Sequence, residues 1–457
     1  MRATDKGLKD TLWKAANKLR GSLSAGQYKD VILGLVFLRH VSEAQWKALA
    51  DNSKADKLGR LVDDAMQAAG LPRLYEDLDQ RRLGELMDLL DTLRCGGREA
   101  HRDLMGEVYE YFLGNFARAE GKRGGEFFTP PSVVRLLVEV LEPSGGRVYD
   151  PCCGSGGMFV QTEHFIAEHD GDPANLTVYG QESVEQTWRM ATMNLAVHGI
   201  DHRGLGPRCA DTLVTDLHAG VQMDYVLANP PFNIKDWARD ADDPRWRFGV
   251  PPATNANYAW IQHILSKLAP GGTAGVVMAN GSMSSKAKGE GDIRARIIEA
   301  DLVSCMVALP AQLFRSTGIP VCVWFFARDK AHRSRQVLFI DARGLGYLVD
   351  RAERALTREE IVRIGDTYHA WCGTKSALAK GLTYHDVPGF CQSVPLDDVR
   401  AAGHVLTPGR YVDAPSAPDD GEPVGDKIAR LTDGLLAALD DSARAEQVVR
   451  QQVGRLR

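Results

Sequence analysis

Apolar residues mark the first boundary in this chain. From residue 6 to about 118 they recur every three or four positions, the period of helices with one buried face. Leu8, Leu12, Ala15, Ala16 and Leu19 trace one such stripe. A second apolar helix is predicted from Tyr28 to Val41, and the segments 58–69, 83–93 and 101–116 continue the pattern with few β-branched runs. The polar, glycine-rich stretch 119–125 then breaks the helices and reads as a linker or loop. Beyond about 126, short apolar runs alternate with helical stretches. Strands are predicted at 147–150, 176–181, 225–228, 273–278 and 303–309, with helices at 158–168, 184–198, 258–268 and 293–299. That alternation predicts an α/β sheet with helices on both faces. Two late strands, 321–327 and 337–341, are expected as an antiparallel pair at the sheet edge. After the Pro-rich stretch 413–423, Ile428, Leu431, Leu435, Leu439, Val449, Val453 and Leu456 repeat at helical spacing. They predict an amphipathic terminal helix or helix pair.

The expected organisation is an N-terminal all-helical domain (1–118), an α/β domain (119–412), a linker (413–423) and a C-terminal helical tail (424–457). A chain of 457 residues has room for two or three domains. Its 44% hydrophobic and 25% charged residues are those of an ordinary soluble globular protein. No apolar run approaches the roughly 20 residues of a membrane span, and the first residues lack a secretory apolar segment, so a cytoplasmic protein with no membrane contact is expected. Eight scattered cysteines with no CxxC pair read as reduced thiols, and no metal site is expected. The net charge of −5 argues against a protein that grips DNA alone over a long footprint. DNA chemistry stays open if a partner supplies most of the grip.

The candidate chemistry lies in five strings. In Asp150-Pro-Cys-Cys-Gly154-Ser155-Gly156-Gly157, an acidic residue ends a strand and three glycines let the backbone turn sharply beside a ligand. A helix follows, with its first N–H groups facing the crevice. The string is neither GxGxxG nor a phosphate loop ending in Gly-Lys-Ser/Thr. It supports an S-adenosylmethionine site over a merely structural turn. Glu182, one helix and one strand further on, can accept both hydroxyls of a ribose. Asp211, at the expected end of the third strand, can accept from the cofactor's adenine amino group, cap a helix, or do both. In Glu126-Phe127-Phe128-Thr129-Pro130-Pro131, the backbone and the Thr129 hydroxyl can close over the methionine end of the cofactor, while Phe127 and Phe128 serve equally well as core.

The most specific string is Asn229-Pro230-Pro231-Phe232 at a strand exit. Two consecutive prolines hold the chain stiff. An exocyclic adenine nitrogen is a poor nucleophile, because its lone pair is delocalised into the ring. Acceptors for both of its N–H bonds help it pyramidalise, and the Asn229 side-chain oxygen and Pro230 carbonyl can supply them as preorganised stabilisation. Phe232 offers a face for a base turned out of the duplex.

These strings, in this order, resemble the amino-group methyltransferases of DNA, and among them the modification subunits of type I restriction systems. The resemblance extends over nearly the whole chain, through Leu8–Arg39, Asn257–Trp260, Val277–Gly281 and His404–Tyr411. One departure is Ala279, where that family often has Pro; it lies outside the proposed chemistry. The resemblance implies a Rossmann-like S-adenosylmethionine-dependent methyltransferase sheet that methylates adenine N6. It implies cofactor binding by 126–131, Gly154–Gly157 and Glu182, and catalysis by Asn229 to Phe232. The α/β domain is followed only by about 45 linker and helical residues. A separate specificity subunit is therefore expected, gripped partly by the C-terminal helix, with double-stranded DNA, a restriction subunit and a second copy of this chain as further partners. Two alternatives stand: another acceptor (cytosine N4, RNA or a protein glutamine), or a catalytically silent assembly scaffold.

Overall fold

The computed structural model describes residues 3–19, 23, 25–69, 71–93, 98–120, 128–315, 318–412 and 424–454. Glu126, Phe127 and the expected linker 413–423 lie outside the described residues. The chain forms two compact units, 1–412 and 413–457.

Among the described residues the first unit begins with six helices: α1 (Ala3–Lys18), α2 (Ala25–Val41), α3 (Glu43–Ala50), α4 (Leu58–Ala68), α5 (Gln80–Asp91) and α6 (Arg98–Glu120). Their apolar faces meet in one core built on Leu12, Val31, Leu35, Val62, Leu86, Tyr109 and Phe112. The turn after α4 is fixed by a buried carboxylate. Asp63 accepts the backbone N–H groups of Leu74, Tyr75 and Glu76 at 2.6, 3.0 and 2.9 Å, which satisfies three donors that the turn leaves unpaired.

An eight-stranded sheet follows, with strands β1 (Gly146–Asp150), β2 (Leu176–Gly180), β3 (Met223–Ala228), β4 (Leu268–Ala279), β5 (Val303–Ala308), β6 (Val321–Ala327), β7 (Gln336–Asp341) and β10 (Cys391–Pro395). Two short strands, β8 (Tyr347–Leu348) and β9 (Arg354–Ala355), form a separate ribbon. The order in the large sheet is β10-β7-β5-β6-β4-β3-β1-β2. The late apolar runs are therefore not an edge pair. β6 lies in the middle, antiparallel to both β4 and β5, and β7 runs parallel to β5. The edge beyond β7 is β10, which is too short and too polar to read as a strand from spacing.

Helices cover both faces, as the alternation predicts. α7 (Pro131–Leu141), α8 (Gly157–Glu168) and α12 (Arg358–Cys372) share one core with Val148, Val277 and Val307. α10 (Asn257–Lys267), α11 (Glu290–Glu299) and α14 (Leu396–Ala401) share the other with Tyr149, Val276 and Met306. The strand residues alternate between these cores because successive side chains in a strand point to opposite faces. A short α13 (Lys375–Ala379) follows α12.

Helix α9 (Glu185–Val197) belongs to two cores at once. Ala191 and Leu195 pack on the sheet side, and Met190, Met193 and Val197 enter the core of the six N-terminal helices. The Tyr109 hydroxyl adds a 3.0 Å bond to the Met190 carbonyl.

Among the described residues the second unit is one continuous helix, α15 (Val424–Gly454), rather than a pair. Ile428, Leu431, Leu435, Leu436 and Leu439 form an exposed apolar stripe along it.

Candidate functional site

Chain order reverses between β1 and β3: from β1 the chain steps outward to β2, then returns to β3 on the other side. Such a switch opens a crevice beyond the carboxyl ends of parallel strands. Asp150 ends β1, Glu182 follows β2 by two residues, and Asn229 directly follows β3.

The turn after β1 depends on its glycines. Gly154 and Gly156 take φ of 55° and 80°, a region that side chains disfavour, and Gly156 caps α8. Gly157 opens α8, and a Cβ added there meets no atom within 4 Å, so space lies open in front of it. Gly154 N–H donates to Glu182 Oε2 at 3.1 Å, and Val184 N–H donates to Oε1 at 2.8 Å. Glu182 is 8% exposed, and burial raises its pKa against those hydrogen bonds. The Asp150 carboxyl is buried and accepts the Cys152 N–H at 3.0 Å; burial pushes its pKa up to about 7. The Ser155 carbonyl accepts from Asn194 of α9 at 2.8 Å.

Asp211 is exposed and accepts the Leu213 N–H at 2.9 Å. It ends no strand. Residues 208–211 are irregular and meet the sheet region through Ala210 N–H to the Glu182 carbonyl, so the third strand in chain order is β3. The segment has only four residues, with polar Arg208 and Asp211 at its ends, too little apolar surface to extend the sheet.

Asn229 leaves β3 with Nδ2 donating to Thr129 Oγ1 at 3.0 Å. Its Oδ1 is buried and has no hydrogen-bond partner among the described residues. Pro230 is buried and Pro231 exposed. Phe232 is half-buried and meets Phe314 edge to face, with centroids 6.0 Å apart. The exit of this turn is clamped by Asn257 of α10. Asn257 Oδ1 accepts the Asn233 N–H at 2.9 Å, and its Nδ2 donates to Asn233 Oδ1 at 3.0 Å. Residue chemistry alone missed this clamp, and its signals in sequence are the string Asn255-Ala-Asn257 and the family resemblance over Asn257–Trp260. Thr129 touches the Asn-Pro-Pro-Phe turn. Phe128 packs against the helical core near Gly114, and Pro130 and Pro131 start α7.

The N-6 DNA Methylase family signature matches residues 100–420, and the HsdM N-terminal domain signature matches residues 8–89. The methylase subunit of the type I restriction enzyme HindI from Haemophilus influenzae is 42% identical, over 91% of this chain and 99% of that protein. The MjaIX methylase subunit from Methanocaldococcus jannaschii is 33% identical, over 96% of this chain and 90% of its own length. A type I methyltransferase subunit from Streptococcus thermophilus has the same fold, with a TM-score of 0.72 and 23% identity, covering 90% of this chain and all of that one.

The chain thus belongs to the N-6 DNA methylase family, in the branch of type I restriction-modification methylase subunits. It is an adenine-specific DNA methyltransferase.

Proposed function

We propose that the chain transfers a methyl group from S-adenosylmethionine to N6 of an adenine turned out of duplex DNA. Asn229, Pro230, Pro231 and Phe232 form the acceptor side. The donor side comprises residues 126–131, Asp150, Gly154, Ser155, Gly156, Gly157, Glu182 and Asp211. One observation carries this reading: Asn229 Oδ1 is a buried acceptor with no partner among the described residues, just past the end of the strand paired with β1. Leaving such an atom unpaired costs about 1–3 kcal/mol, and an exocyclic amine supplies the missing donor.

The donor residues fit the cofactor. Space lies open at Gly157, and Glu182 Oε2, which accepts only the Gly154 N–H among the described residues, keeps a lone pair for a ribose hydroxyl. S-adenosylmethionine supplies an electrophilic methyl carbon on a sulfonium. The protein's part is orientation. Thr129 holds the Asn229 amide, so Oδ1 and the Pro230 carbonyl are available as the nitrogen becomes cationic. Phe314 props Phe232 edge-on, leaving a ring face for the base. The proton leaves after the methyl arrives, so no general base of shifted pKa is needed.

We assign the helical residues 1–118 and the catalytic residues 119–412 to separate roles, with 424–457 gripping a specificity subunit in a cytoplasmic complex. A restriction subunit, a second copy of this chain and duplex DNA complete that assembly. The exposed stripe on α15 and the net charge of −5 support a borrowed DNA grip. The test is labelled methyl transfer to duplex DNA with the specificity subunit present, read by nucleoside mass spectrometry. N6-methyladenine is expected; N4-methylcytosine, or unmodified DNA, overturns the reading.

A further inference from the structure

We propose that Arg245 is a positioning residue that ties the loop following the Asn-Pro-Pro-Phe turn to the donor-side turn, so that cofactor binding orders that loop. This rests on the assignment of donor and acceptor sides made above.

Residues 233–256 leave the acceptor turn and return to α10 without forming a helix or strand. The loop closes on itself. Besides the Asn233–Asn257 clamp, Ala256 N–H donates to the Ile234 carbonyl at 3.0 Å, Asp236 N–H to Ala253 at 3.1 Å, and Trp237 Nε1 to Pro252 at 3.1 Å. Its charges cancel in number, with Lys235, Arg239, Arg245 and Arg247 against Asp236, Asp240, Asp242 and Asp243. A loop of this balance is not built to hold phosphates.

Arg245 points inward, with its side chain 12% exposed. Its guanidinium donates to the Thr212 and Leu213 carbonyls, each at 2.8 Å, and to His263 Nδ1 at 3.0 Å. Asp243 binds it in a fork, accepting from Nε on Oδ1 at 2.9 Å and from Nη2 on Oδ2 at 2.5 Å. Two routes lead from here to the donor side. Thr212 Oγ1 donates to the Pro151 carbonyl at 2.5 Å, inside the glycine turn. His263 forms the second. Arginine only donates, so Nδ1 accepts, the ring is neutral, and Nε2–H donates to the Tyr149 hydroxyl at 3.0 Å. Burial, and then the Arg245 charge, hold the His263 pKa down, in keeping with that neutral state. Both routes end on residues adjacent to Asp150. Leu213, Trp237, Trp246 and Trp260, with Cys152 against them, fill the space between loop and turn. A lysine cannot replace this arrangement, because one ammonium cannot span two carbonyls, an imidazole and a carboxylate in a planar fork.

The test is hydrogen exchange of the full chain with and without S-adenosylhomocysteine, in the native protein and in Arg245→Lys. In the native chain the ligand is expected to slow exchange at 150–157 and 211–213, and also across 234–253 by about 5-fold or more, the lower end of ordinary site coupling. In Arg245→Lys, slowing persists at 150–157 but falls below about 2-fold across 234–253. Methyl transfer then loses kcat with the KM for S-adenosylmethionine little changed. If Arg245→Lys does not fold, Asp243→Asn, which loosens the guanidinium without removing it, carries the same comparison. Equal slowing of the loop in variant and native chains overturns the proposal, as does a native loop that ignores a bound ligand. A native chain with no slowing at 150–157 fails differently, since it removes the donor site itself.

Discussion

The side-chain amide of Asn194 donates a 2.8 Å hydrogen bond to the main-chain carbonyl of Ser155. Asn194 is on α9, so the glycine turn is braced by the helix that also completes the N-terminal helical core. The glycine turn is thereby mechanically continuous with residues far from it in sequence.

Asn194→Ala leaves the buried Ser155 carbonyl without this donor. The expected loss is about 1–3 kcal/mol of stability, together with weaker S-adenosylhomocysteine binding. Denaturant unfolding and calorimetric titration check both. Asn194→Asp, which has lost the N–H, is expected to give no rescue, and a variant matching the native chain in both measurements refutes the brace.

Asn229→Ala is expected to lower single-turnover methyl transfer by about 10²–10³, the scale for removing one preorganised transition-state hydrogen-bond partner. Cofactor affinity should change little, since the proposal puts Asn229 on the acceptor side. Thr129→Val, which removes the oxygen bonded to Asn229 Nδ2, is expected to give a smaller loss of the same kind. Normal rates in both variants exclude this turn from the chemistry.

Asp150 makes stability depend on pH in an unusual direction. Its folded pKa is pushed up to about 7 by burial, against an ordinary value near 4. Between these values the folded chain keeps a proton that the unfolded chain releases, so the group's contribution falls as pH rises. The slope reaches at most about 1.4 kcal/mol per pH unit and levels off above the folded value. Asp150→Asn removes this component while leaving other titrating groups in place. The difference between the two stability curves, measured without cofactor from pH 4 to 8, should therefore slope over most of that range. A flat difference rejects the buried carboxyl as its source.

Removal of 424–457 takes away the stripe of Ile428, Leu431, Leu435, Leu436 and Leu439. Co-purification with the specificity subunit is expected to be lost, and S-adenosylhomocysteine binding kept. Unchanged association rejects the helix as the grip.

The strands β1 to β5 were legible because each carries a short apolar run with glycine, proline or an acidic residue within two positions of its end. Strand order was not, because nothing local to 321–327 says that it pairs with 273–279 and 303–308 rather than with its successor. The expected strand end at Asp211 misread a segment with one backbone bond to the sheet region as a ladder. The candidate site was readable where backbone geometry demanded glycine or proline, at Gly154, Gly156 and Asn229–Phe232. The roles of Asn257, Arg245 and His263 were silent for the opposite reason. Each is an ordinary polar residue whose role comes from partners 18 to 114 positions away.

The two-sided burial of α9 constrains how such a protein can be rebuilt by recombination. A chimera that joins the first 120 residues of one relative to the sheet of another inherits a foreign methionine face at Met190, Met193 and Val197. Its helical half then docks on the wrong relief. Exchange of the outer surface of α9 together with the N-terminal helices keeps that seam matched, although those residues lie on the far side of the glycine turn in the sequence.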